Sequence, residues 1–85
     1  MLFNNIDKNT KIEILEENIP KYEKNAFEIL IQLGIEPAEF NEDTFEEEDP
    51  SVDENDLTTL DLRKRLKVSV DALAFIKKEI ANLEI

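Results

Sequence analysis

Nine of the sixteen residues between positions 41 and 56 are carboxylates: Glu42, Asp43, Glu46, Glu47, Glu48, Asp49, Asp53, Glu54 and Asp56. The one basic cluster follows soon after, at Arg63, Lys64, Arg65 and Lys67. Carboxylates at this density have four uses: holding a hard cation, trading protons in catalysis, imitating a phosphate backbone, or docking a basic protein. A calcium loop needs aspartates at alternate positions around a central glycine, whereas this segment has no glycine and is interrupted by Pro50. Paired-carboxylate catalysis needs an apolar pocket that raises one pKa and a nucleophile beside a base, yet Phe45 and Val52 are the segment's only apolar side chains. The chain also has no Cys and no His, which removes disulfides, thiolate nucleophiles, soft-metal sites and the usual neutral-pH base. Tyr22, the only tyrosine, reads as packing at the edge of a core. The expectation is a protein that is not an enzyme, with no catalytic residues, no cofactor and no metal.

Besides simply solubilising a small domain, two uses remain, both directed at a protein: imitating nucleic acid in another protein's cleft, or docking an ordinary basic surface. The charge distribution fits either. Residues 1–56 carry 17 Asp and Glu against 4 Lys and Arg, a balance of −13, whereas residues 57–85 carry 4 against 6, a balance of +2, which together make the net −11. The basic cluster is expected to neutralise Glu46, Glu47, Glu48 and Asp49 in cis, in a salt-sensitive way, because exposed ion pairs are individually worth only ~0 to 1 kcal/mol. Its alternative use is nonspecific contact with phosphates.

The elements that position these groups read as helices. One Gly, three Pro and abundant Glu, Lys, Leu and Ile favour helix over flexible linker. Asn9 and Thr10, with Glu13 in capping-box spacing, open a short helix whose inner face holds Ile12, Leu15 and Ile19, and Pro20 ends or kinks it. A second helix spans about 20–33. Gly34 stops it in the left-handed conformation, with Ile35 folding back as the accompanying apolar contact. On this helix Lys21, Asn25, Glu28 and Gln32 form a narrow polar stripe, and Tyr22, Ala26, Phe27, Ile29, Leu30, Ile31 and Leu33 occupy most of the rest. So wide an apolar arc needs cover on two sides. The expected arrangement is a central helix covered by its own chain, the alternative a face that meets a partner or a second copy. Residues 36–40 form a turn that docks Phe40. Residues 41–56 then form an extended, mobile acidic loop, pinned at Phe45 and Val52.

The last third admits two readings. As one helix begun by Thr58 with Asp61, it places Leu62, Leu66, Ser69, Leu73, Ile76, Ile80 and Leu83 at alternating spacings of four and three, a heptad seam suited to a homodimer. As two helices, 60–67 and 70–83, it breaks at Lys67-Val68-Ser69-Val70. The second reading resembles the helix-turn-helix of bacterial regulators over about twenty residues, since Leu62, Leu66, Val68, Leu73 and Ile76 stand where that motif places apolar residues. It departs at Arg63, where the motif has a small residue, and at Lys67, where it has glycine. The resemblance implies DNA binding, but the would-be recognition surface of Ser69, Val70, Asp71, Ala74 and Phe75 has no Arg, Asn or Gln to read bases.

No stretch reaches the ~18 to 20 apolar residues of a membrane span, and residues 1–5 lack the pattern of a secretory leader, so the expected location is cytoplasmic, without a membrane partner. The fold class expected is all-α: one domain over residues 1–85, a small bundle of three to four helices with the acidic loop before the C-terminal segment. The leading functional expectation is an acidic interaction module, a regulator or inhibitor, that binds a basic protein surface through residues 42–56. The alternatives are a helix-turn-helix regulator and a homodimeric structural or adaptor protein.

Overall fold

A computed structural model describes residues 3–85; Met1 and Leu2, two of the five positions read for a leader, lie outside them. The described residues are all-α, but among them two long helices replace the expected three or four: α1 spans Lys8–Leu33 and α2 spans Leu57–Glu84, with a single turn of 3-10 helix at Pro37–Glu39 between them. The final third is thus one helix, and the geometry of a helix-turn-helix is not formed.

Pro20 lies inside α1 rather than at a boundary. Proline has no N–H to give Glu16, yet it sits on the exposed side, where water can reach the freed carbonyl. The packing face decides the outcome. Ile12, Leu15, Ile19, Tyr22, Ala26, Ile29 and Leu33 follow one another at spacings of three and four straight through the proline, and all seven are at least partly buried. Breaking the helix at Pro20 would put the two halves of that seam out of phase. The proline is tolerated, not favoured, so Pro20→Ala is expected to stabilise the protein by about 2 to 2.6 kcal/mol. That is the interior-proline penalty of ~3 kcal/mol less what alanine returns to the unfolded chain as entropy. Urea unfolding followed by circular dichroism checks it.

The helices begin on aspartates. Asp7 Oδ1 accepts from the Thr10 amide at 2.7 Å, and Asp56 caps α2 by accepting from the Thr59 amide at 3.1 Å and the Thr59 hydroxyl at 2.7 Å. Both starts precede the expected ones at Thr10 and Thr58, because a full negative charge complements the helix N-terminus better than a neutral hydroxyl or amide. The end of α1 is as expected. Gly34 takes φ 75°, its N–H donates to the Ile31 carbonyl, and the Ile35 N–H donates to that of Leu30, which closes a Schellman cap with Ile35 against the core.

α1 and α2 pack antiparallel. At one end Ile29 and Leu30 meet Leu62, Leu66 and Val70; at the other, Leu15 shares a groove with Phe75 and Leu83. Leu62, Leu66, Ser69, Leu73 and Ile76 of the α2 seam are buried, so the surface read as a homodimer seam is covered in cis by α1. The hairpin measures 48 × 27 × 19 Å with a radius of gyration of 15.8 Å, well above the ~12 Å of a globular chain this long. A long thin molecule leaves the outer side of α1 uncovered. Phe27 and Ile31 of α1 therefore stay 52% and 60% exposed, and the wide arc of α1 is not enclosed by its own chain.

Candidate functional site

The connection between the helices is not extended. Asx turns fold it, because short Asp and Asn side chains can accept from a backbone amide two residues on. Asn41 Oδ1 accepts from the Asp43 amide at 2.9 Å, Asp49 Oδ1 from the Ser51 amide at 2.9 Å and the Ser51 hydroxyl at 2.7 Å, and Asp53 Oδ1 from the Asn55 amide at 2.8 Å. Asp56 completes the series as the cap of α2. These local bonds give a carboxylate-rich segment a shape that apolar burial alone would not supply.

Two aromatic rings tie the segment to the hairpin. Phe40 and Phe45 pack on the core cluster with their ring centroids 5.5 Å apart, and Val52 is partly buried. Over the Phe45 ring lies the guanidinium of Arg63, 4.9 Å from its centroid. The same guanidinium donates from Nε to the Glu47 carbonyl at 3.1 Å and from Nη2 to the Glu46 carbonyl at 2.6 Å. Asp49 Oδ2 lies 4.0 Å from Nη2, and the Arg63 side chain is only 12% exposed. One arginine therefore clasps the loop, chiefly through main-chain oxygens.

The rest of the basic cluster is employed differently from the expectation. Arg65 pairs with Asp61 at 3.9 Å and Lys67 with Asp71 at 3.3 Å, both one turn apart along α2, and Lys64 lines a shallow groove with Glu47 and Glu48 without an ion pair to either. Cis neutralisation of the run from Glu46 to Asp49 thus falls to Arg63 alone, and of that run Arg63 pairs only with the Asp49 carboxylate. Helix geometry accounts for Arg65 but not for Lys67, which points within about 40° of Arg63, borders Glu42 and Asp43, and still pairs with Asp71. At ~100° per residue, Arg65 points about 160° away from Arg63, off the loop side of α2.

The nine carboxylates accordingly divide. Asp49 and Asp56 are structural, and for both the donors on Ser51 and Thr59 hold the carboxyl below its ordinary pKa, with Arg63 adding a smaller electrostatic contribution at Asp49. Asp53 uses one oxygen in its turn. Glu42, Asp43, Glu46, Glu48 and Glu54 are exposed and Glu47 is half-buried, and the side chains of these six make no ion pair or hydrogen bond among the described residues. Sequence reasoning had grouped all nine together, because it could not show which were spent on turns. Among the described residues no group of three or more Asp, Glu, His or Cys is arranged to hold a metal ion, and no helix is long and apolar enough to cross a membrane. No protein-family model, characterised protein or solved structure matches the chain.

Proposed function

We propose that this chain is a small acidic docking module that binds a Lys- or Arg-rich surface of another protein through its inter-helix segment, and that it is not an enzyme. The observation that carries the reading is the way Arg63 is used. By taking the carbonyls of Glu46 and Glu47, it fixes the loop without consuming the glutamate side chains, so their charge stays available on a shaped surface. Prepaid order matters because a mobile acidic tail would lose its entropy only on binding.

The test compares two variants with the same charge change. Glu42, Glu46, Glu48 and Glu54 are replaced by Gln in one, and Glu13, Glu16, Glu17 and Glu23 of α1 in the other, and each is titrated with a fluorescent oligolysine peptide. Four exposed charges at a polar interface are expected to be worth about tenfold to a hundredfold in affinity. The loop variant should lose that much and show a flatter salt dependence, while the α1 variant should lose far less. Equal losses would mean that net charge alone attracts the peptide, and the docking reading would fall.

A further inference from the structure

The face of the hairpin away from the acidic loop carries its own recognition chemistry. Two grooves run along it between α1 and α2. One, of about 390 Å³, is lined mainly by apolar groups including Phe3, Ile14, Leu15 and Phe75; the other, of about 250 Å³, lies between Tyr22, Ile29 and Val68. They belong to one surface: Val68 and Phe75 are two helical turns apart on α2 and so point within about 20° of each other. Both are largely exposed, at 65% and 61%. No residue of 40–56 lines either groove, and Val68 points roughly 140° from the loop-holding Arg63.

We propose that this face binds a second copy of the chain, so that two hairpins pack into an antiparallel four-helix bundle with the acidic loops kept to its outer sides. Charge selects that occupant. Two chains of net −11 associate only where the local surface is not acidic, and the two grooves hold Lys11, Arg65 and Glu79 as their only charged residues. Glu79 of each copy can then meet a cation of the other, as a two-fold interface requires. Size agrees as well. A face 48 Å long and two helix diameters wide, roughly 20 Å, offers about 900 Å², close to the ~800 Å² per partner of a standard interface. A thin two-helix layer of 85 residues also has the small core for which association is a common remedy.

Sedimentation equilibrium from micromolar to millimolar chain tests this. The expected mass at high concentration is that of two chains, with association tightening as salt is added because salt screens the repulsion between copies. Binding of a basic peptide by the acidic loop weakens with salt, so the two readings fail separately. Phe75→Glu should raise the dimer dissociation constant about thirty-fold or more while leaving helix content unchanged, and Ile31→Glu on the opposite side of α1 should not. Because the chain has no cysteine, a spin label at Val68→Cys gives an independent readout, and strong dipolar coupling between copies is expected. A single-chain mass at millimolar concentration, or a dimer lost on Ile31→Glu and kept on Phe75→Glu, would overturn the proposal.

Discussion

Leu66→Ala is expected to remove about 3 kcal/mol of stability, read as a lower urea midpoint. Leu66 is 0% exposed, the most deeply buried large side chain described, and it sits where Ile29, Leu30, Leu62 and Val70 converge. Removing its branched end loses the transfer energy of three carbons, one methine and two methyls. It also leaves a cavity that two straight helices cannot close, which puts the cost in the 2 to 5 kcal/mol range of such truncations. At roughly 0.05 to 0.15 kcal/mol per residue, a chain this short has a total of about 4 to 13 kcal/mol, so one methyl cluster is a sizeable share. Urea titration of the variant beside Ile31→Ala, which truncates a side chain 60% exposed, separates position from residue type. The Ile31 variant should stay within about 0.5 kcal/mol of the parent. Comparable losses would mean that the α1–α2 seam is not where the stability resides.

The α2 seam was legible in the spacing of Leu62, Leu66, Leu73 and Ile76, because a helix must bury residues that recur every three to four positions whatever covers them. What covers them was not legible. A heptad seam fits a second copy as well as a preceding helix, and the choice went to α1 only because its own seam runs unbroken through Pro20. The proline was misread as a boundary for a physical reason: its local penalty of ~3 kcal/mol is visible in one residue, while the burial that outweighs it is spread over seven positions. Gly34 and Ile35 were readable because a Schellman cap is local and depends on a single residue's freedom to take positive φ. The acidic segment was found by composition and misjudged in conformation. Like-charge repulsion suggested an extended chain, but each Asx turn is closed by one short side chain, and Arg63 reaches it from across the fold, at a sequence separation no local reading supplies.

That long reach makes Arg63 the place where fold and function can be separated. Arg63→Ala removes two charge-assisted hydrogen bonds, worth ~1.5 to 3 kcal/mol each, and a cation–π contact of about 0.5 to 1 kcal/mol. Water reaches at least the more exposed Glu46 carbonyl, so the contributions do not add in full, and a net loss of about 2 to 3 kcal/mol is expected. Arg63→Lys keeps the charge but not the planar fork that spans two carbonyls, so it should recover less than half of that loss. A pure charge effect would instead be restored by lysine. The loss should also be uneven. Amides from 44 to 52 should lose protection from hydrogen exchange and the segment should become an early site of proteolysis, while the α1–α2 seam stays protected up to global unfolding. Peptide binding then reports on preorganisation. With every glutamate of the loop still present, an Arg63→Ala chain that binds oligolysine more weakly, at a salt dependence no flatter than the parent's, shows that the fixed shape of the acidic surface contributes affinity beyond its charge. Unchanged binding would reduce the loop to a charged tether.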